Sequence, residues 1–269
     1  MIAFLIVGVF GARAAEEATP ENWAVTANAV ATTIFLTALA ALWFGCSNAA
    51  REIVGEWPIY RRERMVALTI PCFMAAKLSV LGGLCLLQCL ILLGIVAIGA
   101  GLQRSLPAMF ALLALVSLVG VSIGLLVSAV AKTSEVAIAI LPLVLLPMVI
   151  LAGVLHPLHE MNRGVSMLAQ MMPSRWAFEG MLVMESRRRP VLSLADLPGH
   201  GDVPAGSDRQ EDMAEHFFPA ETNRMGVVAS CLALMLTFAL VVGGVYACLR
   251  FRDVRWRDRK LPADRLQRA

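Results

Sequence analysis

The chain has 269 residues, is 58% hydrophobic and only 16% charged, and carries a formal net charge of +3. Soluble domains carry about 25% charged residues, so long apolar runs with so few charges read as an all-α membrane protein with several spans, not a soluble domain. The small net charge argues against a nucleic-acid partner.

Residues 1–12 are apolar, yet a helix of that length rises only about 18 Å against a hydrocarbon core of about 30 Å. We read them as the outer end of a first transmembrane helix that is truncated here. A signal peptide is one rival, since Ala12-Arg13-Ala14 mimics a small-x-small cleavage site, but no positive n-region precedes it. An interfacial segment is the other. Residues 13–21 hold three Glu and a Pro and read as a short loop.

Residues 24–46 make the first complete span. Asn28 and Thr32 share one face, and Thr33 and Thr37 share another. Such side chains commonly bond back to their own helix or join helices. A substrate-facing stripe is the functional alternative, and it makes Asn28, Thr32 and Thr33 pathway candidates.

Residues 47–67 are the densest charged segment in the first half. Ile53 and Trp57 fall on one face, Glu52 and Glu56 on another. Carboxylates four apart repel unless a cation lies nearby. Pro58 ends the run and suits the first turn of a second short helix. That helix sets Tyr60 and Arg64 on one side, and Ile59, Glu63 and Val66 on another. Two short amphipathic helices at the membrane surface suit docking to a soluble partner. A solvated loop that only sets topology would not need Trp57, Ile59 and Tyr60.

Residues 69–100 form the next span. Lys77 lies about two turns in and can snorkel to the interface. Gln88 lies deeper, where it bonds a neighbouring helix or lines a pathway. A tight connection at 101–105 leads to a span at 106–131. There Gly120 and Gly124 form a small-xxx-small pair that favours close packing. Lys132 marks its end, and Ser134 looks like an N-cap before Glu135. The span at 135–155 contains Pro142 and Pro147, each of which removes a helix hydrogen bond. Broken helices at membrane depth are tolerated where they line a cavity or are buried in protein. Pro142, Leu146 and Pro147 are therefore pathway candidates, with a packing kink as the alternative. Residues 161–184 are amphipathic, with Arg175 and Glu179 inside and Glu185 just beyond, and read as re-entrant or interfacial helices. Residues 185–224 form the one loop of soluble composition. Residues 225–249 are the last span, and 250–269 a basic tail with seven Arg and one Lys.

Lys and Arg in short loops mark the cytoplasmic side. The tail then lies inside, 185–224 outside, Lys132 inside, 101–105 outside, 47–67 inside and the Glu-rich 13–21 outside. Six spans with both termini cytoplasmic result, as in a multi-pass protein of a bacterial inner membrane. The six cysteines lie in or beside apolar stretches and suggest neither disulfides nor a zinc site. Ala131-Lys132-Thr133 lacks the glycines of a phosphate loop. His156-Pro157-Leu158-His159-Glu160 fits metal-ligand spacing poorly and reads as an interfacial turn.

The run Phe44-Gly45-Cys46-Ser47-Asn48-Ala49-Ala50-Arg51-Glu52-Ile53-Val54-Gly55-Glu56-Trp57-Pro58-Ile59-Tyr60-Arg61-Arg62-Glu63-Arg64 resembles the segment after the second helix in the permease domain of G-subfamily (White-type) ABC transporters, especially bacterial relatives. Pro173-Ser174-Arg175-Trp176-Ala177-Phe178-Glu179-Gly180 is similar to the family's segment after the fifth helix. The resemblance implies a six-helix exporter permease in which Glu56–Arg64 is a coupling helix docked on an ATP-binding domain or subunit. Glu52, Glu56, Tyr60, Arg61, Arg62, Glu63 and Arg64 are then the coupling residues. It also implies a dimer of permease halves, with a central cavity lined by the helices at 24–46 and 135–155. ATP and Mg belong to the partner ATPase, and no cofactor to this chain. The ATP-binding domain and most of the first helix, usual in the family, do not occur in these 269 residues. The expected function is export of hydrophobic or amphipathic compounds. A non-transporting remnant or scaffold is the alternative. A secondary transporter would need paired ionisable residues deep in the spans.

Overall fold

The computed structural model describes residues 1–19, 21–102, 106–154, 162–187, 189, 192–193, 210–214, 217–219 and 224–266. They form an all-α membrane protein with one two-residue strand pair, Leu192–Ser193 antiparallel to Gln210–Glu211. Four helical stretches are long and apolar enough to cross a bilayer: Trp23–Gly55, Ile70–Gly99, Leu106–Val130 and Gly226–Asp253. Two shorter apolar helices, Ile2–Ala15 and Ser134–Ile150, accompany them.

The first comprises α1 (Ile2–Ile6), a π-helical turn (Val7–Gly11) and α2 (Ala12–Ala15), so helix extends three residues beyond the expected end at 12. Gly11 and Gly99 let it lie close against α6 (Ile70–Gly99): a Cβ on Gly11 would sit 2.8 Å from the Gly99 carbonyl oxygen.

The centre of the bundle is the crossing of α3 (Trp23–Ala49) with α7 (Leu106–Val130). The Gly120/Gly124 pair of α7 meets Gly45 and Cys46 of α3 backbone to backbone. A Cβ on Gly124 would lie 2.8 Å from the Ala49 Cβ, and one on Gly45 would lie 2.6 Å from the Val121 nitrogen. With no hydrophobic drive between helices in lipid, such close approach supplies the van der Waals contact that holds them.

α4 (Glu52–Gly55) and α5 (Trp57–Val66) follow α3, with Trp57 and Pro58 opening α5. α8 (Ser134–Ile150) and its cap start one residue earlier than expected. Thr133, in extended backbone, is the N-cap, and its hydroxyl accepts from the Val136 amide at 3.3 Å, while Ser134 is already helical. α8 also runs unbroken through Pro142 and Pro147, so the expected helix break does not occur. Its buried face of Ala137, Leu141, Leu145 and Met148 packs on the bundle and carries the helix past both prolines.

α9 (Arg163–Gln170) and α10 (Pro173–Ser186) occupy the amphipathic stretch. α10 packs against α3, α7 and α11 and is buried along almost its whole length. α11 (Gly226–Leu266) is one continuous helix of 41 residues. The basic tail therefore continues the last span as helix beyond residue 249.

Candidate functional site

The charged segment lies at the end of the bundle that also holds the α7 C-terminus and Asp253 of α11. α4 is fixed to α7 by one side chain: the Ser128 hydroxyl accepts from the amides of Ile53 and Val54, each at 3.0 Å. These are orphan amides of a helix start, so Ser128 satisfies donors that would otherwise need water.

Glu52 and Glu56 find the cation their spacing requires. Lys77 Nζ of α6 lies 2.7 Å from a carboxylate oxygen of each. It also sits 5.9 Å from the centre of the Phe73 ring. Lys77 thus reaches toward the interface, as a snorkelling lysine does, but ends on two named acids of α4 and the α4–α5 corner.

Tyr60 and Arg64 share the inner side of α5. Tyr60 is 1% exposed, stacks on Trp57 and packs against Phe73. Its hydroxyl donates to Asp253, with oxygens at 3.3 and 3.4 Å. Burial first, then the Asp253 carboxylate, push the Tyr60 hydroxyl up to about 12, so it remains a donor at neutral pH. Arg64 Nε bonds Asp253 Oδ2 at 2.8 Å, and this bond is the main cause of its raised pKa. The Arg252 guanidinium lies 3.7 Å above the Trp57 ring and donates to the Ala129 carbonyl at 2.5 Å. Three elements, α6, α7 and α11, therefore hold the helix pair from behind.

The outer face is what remains. Pro58, Ile59, Arg62, Glu63 and Val66 are exposed, at helical spacing along α5, and Gly55 and Arg51 extend the face onto α4. Ile59 is 46% and Val66 88% exposed. Of the expected coupling residues, Arg62 and Glu63 lie on this face, Arg61 is half-buried, and Glu52, Glu56, Tyr60 and Arg64 point to or bond the bundle.

The pathway candidates divide. Asn28 is exposed and Thr32 half-buried on the outer side of α3, whereas Thr33 is fully buried and donates to the Ala29 carbonyl at 2.8 Å. Thr33 is thus bonded into its own helix and leaves the stripe. Pro142 and Leu146 face outward on α8, and Pro147 is half-buried. Gln88 does join two helices: Asn48 Nδ2 of α3 donates to Gln88 Oε1 at 2.8 Å.

The far end holds a site whose burial the sequence reading did not foresee. Arg175 and Glu179, one turn apart on α10, are 1% and 0% exposed and paired at 3.3 Å. Glu179 Oε1 also accepts from the Met225 amide at 2.7 Å, satisfying a donor at the start of α11. The aromatic signal was visible: Phe178 packs against Phe35, Phe217 and Phe218. Nearby, Arg189 bonds Glu185 and the Ala14 carbonyl, each at 3.0 Å, and Arg224 bonds Asp212 at 2.7 Å. His156–Glu160 lie outside the described residues. Among the described residues no group of His, Cys, Asp and Glu is placed to hold a metal ion.

An all-α bundle of apolar helices, with a short helix pair held at one end and presenting a mixed apolar and charged face, defines a polytopic membrane protein. The chain belongs to the ABC-2 type transporter family, whose model matches residues 1–186. It is therefore a transmembrane component of an ABC transporter, and its membrane domain is a transport component, not itself the catalyst. Over 153 residues it is 26% identical to the "ABC transporter ATP-binding/permease protein Rv1747" of Mycobacterium tuberculosis. That match covers 54% of this chain and spans 18% of the relative's length. The family agrees with the resemblance carried by residues 44–64 and 173–180.

Proposed function

We propose that this chain forms the membrane-spanning half of an ATP-driven exporter of hydrophobic or amphipathic compounds, and that the α4–α5 pair is where an ATP-binding domain or subunit docks. The observation that carries the reading is the two-sided build of α5. Its inner residues Tyr60 and Arg64 are bonded to Asp253, while Ile59, Arg62, Glu63 and Val66 face outward. A docking element needs both properties: an accessible face, and a rigid attachment that carries displacement into the spans. Lys77, Ser128 and Asp253 provide that attachment.

ATP and Mg bind on the partner, and its closure pushes the helix pair, which moves with α6, α7 and α11. A second permease half, a homodimer in the simplest case, completes the cavity. The outward-facing Asn28 and Thr32 of α3 and Pro142 and Leu146 of α8 are the residues left to line it. The docking end lies in the cytoplasm of a bacterial inner-membrane protein with both termini inside, in keeping with its Arg content.

Arg62→Glu tests this. Arg62 is exposed and lies behind no buried contact, so the variant is expected to insert and fold normally. With the ATP-binding partner present, transport per ATP hydrolysed should fall at least tenfold, as an attractive charge in the interface becomes a repulsive one. Normal coupled transport at normal membrane levels would sink the docking assignment, and absence of transport in the unaltered chain with its partner present would favour the non-transporting scaffold.

A further inference from the structure

We propose that α11 is a strut that ties the docking helix pair to the buried Arg175–Glu179 pair at the opposite end of the molecule, with Asp253 and Glu179 as its two positioning residues. The inference rests on the reading of α5 as the docking helix. Asp253 takes the Tyr60 hydroxyl and the Arg64 guanidinium at one end. Glu179 takes the Met225 amide at the other. The 28 residues between Gly226 and Asp253 are continuous helix, about 42 Å long at 1.5 Å per residue.

The Arg64–Asp253 and Met225–Glu179 contacts, at 2.8 and 2.7 Å, are charge-assisted hydrogen bonds with carboxylate acceptors, the strong class. Each joins α11 to a different element: α5 at one end, α10 at the other. Between them α11 leans on α7 through Val245 and Leu249, and the Ser230 side chain meets Gly180 of α10. A helix resists compression along its axis far better than a loop does. Axial displacement of α5 therefore reaches α10 without passing through the α3–α7 crossing. In sequence, Arg64 and Asp253 are 189 residues apart and Glu179 and Met225 are 46 apart, so neither fastening is a local turn.

Coupling between two sites is reciprocal, and that supplies the test. Hydrogen exchange is measured on the whole chain in lipid nanodiscs. Asp253→Asn should speed exchange of the amides at 225–229 at least threefold. Glu179→Gln should do the same for Trp57–Val66. In both variants exchange within α7 should stay unchanged, which separates transmission through α11 from general loosening. Tyr60→Phe, which removes one hydrogen bond to Asp253 and little packing, should produce a smaller increase at 225–229. Exchanging the pair, Arg64→Asp with Asp253→Arg, should restore protection there. Faster exchange confined to the altered end would overturn the proposal, as would a pair exchange without rescue. These readouts involve no partner, so a failed strut and a failed docking surface give different results: the first shows here, the second in Arg62→Glu.

Discussion

Gly120→Leu is expected to abolish assembly of the bundle, whereas Gly83→Leu leaves it intact. At Gly120 a Cβ would already lie 3.2 Å from the Gly45 Cα and closer still to the Leu42 carbonyl oxygen. These obstacles are backbone atoms of the facing helix, so no rotamer change relieves them, and α3 and α7 must separate along their longest contact. Overpacking in a core that can relax costs about 1–3 kcal/mol. Here relaxation requires moving whole helices, so the cost exceeds that range and consumes much of a total stability of about 5–15 kcal/mol. At Gly83 nothing lies within 4 Å of the added atom. Size-exclusion profiles in detergent, with a thermal midpoint for each variant, check this. A monodisperse Gly120→Leu with an unchanged midpoint would mean that the α3–α7 crossing is not as close as described.

Glu179→Ala is the second large effect. Removing it breaks the buried Arg175–Glu179 ion pair and takes the acceptor from the Met225 amide. Breaking one side of a buried ion pair costs about 3–5 kcal/mol, because the other charge stays desolvated. Glu179→Gln keeps an oxygen for Met225 and should cost less. The double variant Arg175→Met/Glu179→Gln should be less destabilised than the sum of its single changes, since no lone charge remains. Thermal unfolding of the four proteins in one detergent gives the cycle. Strict additivity would show that the two side chains do not act as a pair.

Much of this arrangement was legible in the sequence where local rules suffice. The spans followed from hydropathy and length. The i, i+4 spacing of Glu52 and Glu56 called for a cation, and the helical period put Tyr60 with Arg64 and opposite Ile59 and Val66. What the sequence could not name were partners distant in the chain. Lys77 as the cation, Asp253 as the shared acceptor and Gly45 as the surface facing Gly120 depend on how the helices cross. Thr32 and Thr33 are adjacent and chemically identical, and only packing decides that one is half-exposed and the other bonded to Ala29. Thr133 and Ser134 are likewise both competent caps, and the extended backbone at Thr133 decides between them. Pro142 and Pro147 suggested a break because the rule for proline is local, whereas the buried face of α8 holds the helix together. Arg175 and Glu179 read as polar punctuation of an interfacial helix. Their burial follows from α10 lying between α3, α7 and α11, which their own segment does not reveal.

The central claim is that the outer face of α5 meets an ATP-binding domain, and a photo-crosslinking residue placed at Ile59 or Val66 tests it most directly. Both positions are exposed, so the probe disturbs no internal contact. In membranes that contain the partner, the account predicts cross-linked peptides from both positions that derive from a domain bearing a phosphate-binding loop. The same probe at Leu143, exposed on α8, should capture no such peptide. Adducts from Ile59 and Val66 with lipid alone, under conditions where the transporter hydrolyses ATP, would contradict it.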